Sequence, residues 1–203
     1  MKKIFAFLSI LFFLNFSSAF AQTKIYTIQT GDTLWSIAVK NQVGISELLA
    51  ANPQIKNPNL IFPGQKINIP NHSDFKLFED EVIRLTNQER AKAGLAVLKP
   101  NWQLSRVAKY KSQDMASKNY FSHYSPTYGS PFKMMESFGL KFSAAGENIA
   151  YGQKSPQEVV RSWMNSPGHR ANILSPSFTE IGVGVAKNSK GVLYWTQMFI
   201  RPY

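Results

Sequence analysis

No cysteine occurs in the 203 residues, which excludes disulfides, thiolate metal sites, iron–sulfur clusters and a thiol nucleophile. Acidic side chains are scarce, 12 Asp and Glu against 23 Lys and Arg, for a formal charge of +11. That excess raises nucleic acid, membrane and anionic polymer as partners without choosing among them. The sequence also lacks an HExxH helix, a GxSxG elbow and, after its first residues, any apolar run long enough to cross a bilayer. An active centre therefore has only imidazole, carboxylate, hydroxyl and backbone groups to draw on.

Met1-Lys2-Lys3, the apolar run Ile4 to Leu14, and Ala19-Phe20-Ala21 before Gln22 form the pattern of a cleaved secretory leader over residues 1–21. Asn15, Ser17 and Ser18 stop the run short of the ~20 residues a membrane anchor needs. Export makes nucleic acid an unsuitable partner for the basic surface. Without Lys2 and Lys3 the chain keeps 21 basic and 12 acidic side chains, a balance that suits an anionic wall polymer or simply keeps a soluble protein dispersed.

The rest of the chain divides at a short polar linker, 71–74, into residues 24–70 and 75–203. In the first part Ile25-Tyr26-Thr27-Ile28 reads as a strand closed by Gly31-Asp32, and Thr33 as the cap of a helix carrying Leu34, Ile37 and Ala38. Trp35 is assigned to the core with Ile37. A second helix ends at Asn52-Pro53, and Lys66-Ile67-Asn68-Ile69 returns as a strand, giving a βααβ order.

YTIQTGDTLWSIA, ISELLAANP and NLIFPGQKINIP closely resemble the LysM module across 24–70. The resemblance implies binding of N-acetylglucosamine glycans such as peptidoglycan or chitin. It places the groove between Gly31, Asp32, Thr33 and Leu34 on one loop and Asn59, Leu60, Ile61, Phe62 and Pro63 on the other. The chemistry is consistent, since an N-acetyl sugar needs an apolar floor for its methyl group and backbone partners for its amide. Asp32 either caps the helix or touches ligand.

The second part reads as four helices, near 75–94, 104–119, 131–138 and 155–163, with a hairpin of Ile181 to Ala186 and Val192 to Ile200. Lys111 falls on the apolar stripe of the second helix, with Leu104, Val107, Ala108 and Met115. His123 and His169 sit in segments rich in helix stoppers, and Glu147 and Glu180 lie beside apolar residues where a charge needs partners. His72, in the linker, is a bystander. Two imidazoles and two carboxylates pair with one another or hold a divalent cation such as zinc or magnesium through His123 and His169.

At these positions FSHYSP, GENIAYG, SWMNSPGHRANIL, EIGVGVA and YWTQMF resemble the CAP superfamily, also called SCP or pathogenesis-related-1. The resemblance implies an α+β fold: an αβα sandwich with a mostly antiparallel sheet and a groove lined by two His and two acids. His123, Glu147 and His169 fall on three of these places; Ser166 occupies the usual fourth, so Glu180 is the substitute. The family's disulfides are absent, leaving packing to hold the sandwich. A structural alternative has Glu147 pinning a loop by hydrogen bonds. Trp163, Trp195, Phe121, Phe132 and Phe199 are assigned to the core, Tyr124 and Tyr151 are candidates to line the groove, and Asn172 either orients His169 or ends a turn.

The function expected is that of a secreted, wall-associated binding or scaffolding protein, in a vegetative wall, a spore coat or a host contact. The alternatives are a metal-dependent hydrolase of envelope polymers and a lipid or sterol carrier.

Overall fold

The computed structural model describes residues 24–70 and 75–203; the expected leader and linker lie outside them. Strands β1 (Lys24–Thr27) and β2 (Lys66–Ile69) pair antiparallel, Lys24 opposite Ile69 and Thr27 opposite Lys66. Helices α1 (Leu34–Lys40) and α2 (Ile45–Ala50) cover them over a core of Ile28, Leu34, Ile37, Ala38, Leu48 and Ile67. Thr33 and Ser36 form a reciprocal capping box at the start of α1. Leu34, Ile37 and Ala38 define its inward stripe at three- and four-residue spacing. Trp35 falls about 100° round from Leu34 and is 66% exposed, contrary to its assignment to the core. Asn52, expected only to break α2, is buried and stitches that helix to β2. Its Nδ2 donates to the carbonyls of Leu48 and Asn68, and its Oδ1 accepts from Asn68 N–H at 2.7 Å.

The remainder runs α3 (Lys76–Lys92), β3 (Lys99–Pro100), α4 (Trp102–Lys118), α5 (Pro131–Ser137), β4 (Ala144–Tyr151), α6 (Pro156–Asn165), α7 (Pro167–Ile173), β5 (Glu180–Lys187) and β6 (Leu193–Arg201). The sheet order is β3-β5-β6-β4, antiparallel except for the short β3–β5 pairing. One face packs Val183, Trp195 and Phe199 against Val82, Val159 and Trp163 of α3 and α6. The other packs Met198 and Ile200 against Leu104, Val107 and Ala108 of α4 and the methionines of α5. This is the αβα sandwich that the resemblance implied.

Two sequence expectations change here. GENIA was not assigned a strand, yet it forms β4, the edge of the sheet. His169 was placed in a stopper-rich segment, yet it lies on α7, because Ser166-Pro167 starts a helix: proline at its first position loses no intrahelical hydrogen bond. β4 is protected from pairing with another chain because Asn172 Nδ2 donates to Glu147 O and Trp163 Nε1 donates to Ile149 O.

The two parts meet through α2 and α4. Arg106 Nε donates to both carboxylate oxygens of Glu47 (3.1 and 2.9 Å), and one of its terminal amino groups donates to Ser46 Oγ at 3.1 Å. The guanidinium also lies over the rings of Tyr110 and Phe138. A side chain at Gly44 would occupy the space of Glu47 Oε2 and the Arg106 guanidinium.

Candidate functional site

In the first part, Ile28 joins both candidate loops: its N–H donates to Gln65 O and its C=O accepts from Gly64 N–H, each at 2.9 Å. The loops therefore lie side by side at one end of the β1–β2 ribbon. The Glu47–Arg106 contact is at the other end, where Gln42, Val43 and Pro70 border a cavity of about 320 Å³. Gly31 takes φ +88° in its turn, a conformation that L side chains rarely adopt.

The nine candidate residues do not contribute alike. Leu34 is buried in the core and presents no side chain to the surface. Thr33 is occupied by its cap. Asp32 does not cap α1; it accepts from Gln29 N–H and Tyr26 O–H, each at 2.8 Å, and these two hydrogen bonds hold its pKa below the ordinary carboxylate value. Asn59 is fixed by its N–H donating to Asn57 Oδ1, and Ile61 packs on the core. Pro63, Leu60 and Phe62 are exposed, the last two at 58% and 57%, and together form an open apolar surface.

In the second part, β4 directs Glu147 toward α4. His123, on the loop after α4, places Nδ1 2.7 Å from Glu147 Oε1. The side chains differ sharply in exposure: Glu147 is 1% exposed and His123 54%. An ionised carboxylate only accepts, so against an ionised Glu147 it is Nδ1 that donates, and Nε2 takes no part in that hydrogen bond. His169 lies in the first turn of α7, half-buried. Burial, and then the charge of His123, lowers its pKa below the usual imidazole value.

Glu180 does not join this group. It begins β5, separated from β4 by β6, and its Oε2 accepts from Asn101 Nδ2 at 2.6 Å beside the start of α4. The strand register turns it to the N-cap of that helix, which is why an acid chosen for its neighbourhood in sequence misses the histidines. The buried charge that stands by the pair is Lys111. Its Nζ donates to His123 O at 2.7 Å, and burial lowers its pKa while the charges of Glu147 and Asp114 oppose that shift. A lysine on the apolar stripe of an amphipathic helix was the sequence signal for it.

Two polar networks fix the frame. Asn172 Nδ2 donates to Asn148 Oδ1 as well as to Glu147 O. Asn148 Nδ2 donates to His169 O and Gln197 Oε1, and Gln197 Nε2 donates to Thr86 Oγ1. Asn172 thus ties α7 to β4. In the second network the Asp114 carboxylate accepts from Tyr120, Ser125 and Thr127 and pairs with Lys118, shaping the loop that carries His123. Burial alone would raise the Asp114 pKa, but these donors outweigh it and bring it to about 2. Because the folded value is depressed, the stability it contributes is present above the unfolded value of 3.8 and is lost as pH falls toward 2. Asp114→Asn should cost about 2 kcal/mol at neutral pH. Urea unfolding at pH 7 and pH 2.5 should show the gap from the parent narrowing in acid; a constant gap would separate the loss from the carboxylate's charge.

Glu147 is not satisfied in this way: its Oε2 is buried and has no hydrogen bond from the protein. A carboxylate that only pinned a loop would resemble Asp114. A resident zinc or magnesium ion does not fit the side chains present, because Glu180 is held elsewhere and no group of three or more His, Cys, Asp or Glu is placed to hold a metal among the described residues. Phe121 and Phe132, assigned to the core, are instead about half exposed; Trp163, Trp195 and Phe199 are buried.

Among known proteins, YkwD of Bacillus subtilis, itself uncharacterized, is 57% identical over 128 residues, 63% of this chain and 49% of that one. An extracellular protein of Bacillus anthracis containing an SCP domain superposes with a TM-score of 0.59 at 34% identity, covering 68% of this chain and 47% of the other. An outer surface protein of Borrelia burgdorferi, at 20% identity, shares the fold with a TM-score of 0.60, over 66% of this chain and all of that one. The match spans about half the length of each of these two Bacillus relatives. A LysM domain model matches residues 26–70. No helix among the described residues is long and apolar enough to cross a membrane. The model of the cysteine-rich secretory protein family matches residues 83–199, and the chain, though it has no cysteine, belongs to that CAP family and carries a LysM domain ahead of its CAP domain.

Proposed function

We propose that this protein is held on the cell wall by its LysM domain, which grips N-acetylglucosamine-containing glycan between the loops 31–34 and 59–63, and that its CAP domain is a binding unit. The observation that carries this reading is the exposed pair Leu60 and Phe62 beside the turn of Gly31, at the end of the domain away from the Glu47–Arg106 contact. The leader-like N-terminus and the basic excess support a place among anionic envelope polymers.

The side chains around His123 and Glu147 support binding better than hydrolysis or lipid capture. For a metal-assisted reaction, no group of three or more His, Cys, Asp or Glu is placed to hold the ion among the described residues. Cavities of about 320 and 380 Å³ lie between the domains and beside the β5–β6 turn. Co-sedimentation with purified peptidoglycan tests the reading. Leu60→Ala with Phe62→Ala removes two exposed contacts worth about 1.5 kcal/mol each, so binding should weaken at least tenfold with folding unchanged. Equal sedimentation of parent and variant would refute the proposed groove.

A further inference from the structure

Beside the His123–Glu147 pair runs a row of aromatic side chains that neither core accounts for. β4 turns Glu147, Ile149 and Tyr151 to one face, so Glu147 and Tyr151 stand ~13 Å apart along the strand. The segment after α4 follows the same line. His123 meets Glu147, and two residues earlier Phe121 packs on Tyr151, with ring centroids 4.7 Å apart at 52°. Tyr151 in turn stacks on the buried Tyr194 at 5.8 Å and 23°, which gives the exposed rings a rigid backing. Tyr151 remains 53% exposed, with Phe121 and Tyr124 likewise open to solvent.

The chemistry of this strip selects among ligands. A lipid tail needs an enclosed apolar cavity, and the strip is open and carries an imidazole and phenolic hydroxyls. An extended peptide would add to the free edge of β4 through main-chain hydrogen bonds, but the Glu147 and Ile149 carbonyls are already taken by Asn172 and Trp163. A β-linked pyranose strand suits it. Its axial C–H bonds make flat apolar faces for aromatic rings, while its equatorial hydroxyl and acetamido groups lie where His123 Nε2 and the tyrosine hydroxyls accept or donate hydrogen bonds.

We propose that the strip from Glu147–His123 to Phe121–Tyr151 is a second saccharide site, for a β-linked N-acetyl sugar strand. The inference rests on the reading of the LysM domain as a glycan binder, since that domain would bring the strip to such strands, and two sites on one polymer reinforce each other through effective concentration.

Residue-resolved NMR of the full exported chain, titrated with the β-1,4-linked hexamer of N-acetylglucosamine, tests it. Shifts at 121–124 and 147–151 together with shifts at 31–34 and 59–63 support both sites. Shifts confined to 31–34 and 59–63 overturn the second site and leave the LysM reading standing; shifts confined to 121–124 and 147–151 do the reverse. No shift at either overturns both. Tyr151→Ala and Phe121→Ala, at exposed positions that leave the fold intact, should weaken the second site at least tenfold, and Tyr151→Phe should restore the stacking. Unchanged affinity in both alanine variants would also overturn the inference.

Discussion

Gly184→Ala is expected to cost about 4 kcal/mol, a large fraction of the stability of a domain this size. The sequence EIGVGVA places Gly182 and Gly184 on the face of β5 that meets α4, and the helix lies directly on their backbone. A Cβ on Gly184 would stand 2.0 Å from Lys109 N and 2.3 Å from Ala108 C, and one on Gly182 2.3 Å from Leu104 C. Those neighbours are backbone atoms, so no rotamer change relieves the clash. The helix would have to rise off the sheet, opening the packing of Leu104, Val107 and Ala108 on Met198 and Ile200, and parting Ser112 Oγ from Gly184 O and Thr196 Oγ1. Gly168→Ala, on α7 with nothing within 4 Å, is the control and should be neutral or slightly stabilising. Thermal unfolding should show a fall of about 10–15 °C for Gly184→Ala and little change for Gly168→Ala. A loss below about 1 kcal/mol would mean that α4 is free to shift.

The elements with strong periodicity were legible in the sequence. The capped helix after Thr33, α3, α4 and the β5–β6 hairpin follow from apolar spacing and turn chemistry, and the order of motifs led to the sandwich. β4 was not legible because its inward positions are not uniformly apolar: Glu147 and Asn148 are buried for their polar contacts, which disrupts the alternation by which a strand is recognised. Trp35 and Phe121 failed for a related reason, since large aromatic residues default to a core assignment and here they face solvent. Two of the site residues were legible as a pair only through motif order: His123 and Glu147 are 24 positions apart and meet through the register of β4 beside the loop after α4. Glu180 shows the limit of such reasoning. A charge next to an apolar strand demands a partner, but sequence does not say which, and the partner proved to be Asn101.

Lys111 beside the His123–Glu147 pair makes the second large expectation. Its side chain is fully buried, with one hydrogen bond to His123 O, and the carboxylates of Glu147 and Asp114 as counter-charges. Glu147→Ala removes one anion and releases the His123 ring, and should cost about 3 kcal/mol, much of it from stranding the lysine charge. Lys111→Met alone removes the cation and leaves Glu147 buried beside fewer positive charges, at a similar cost. Combined, the two should cost at least 1 kcal/mol less than their sum, because each loss includes the penalty of a partner left behind. pH gives an independent check. Burial depresses the Lys111 pKa below 10.5, so across the window between the folded and unfolded values the unfolded chain binds more protons and stability rises with pH. Glu147 opposes that depression; without it the folded value falls further and the window widens downward. Urea unfolding from pH 7 to 10 should therefore show Glu147→Ala recovering stability faster than the parent, and the double variant losing that extra slope. Strictly additive costs with parallel pH profiles would show that Glu147 and Lys111 do not act on each other, and that the carboxylate serves His123 alone.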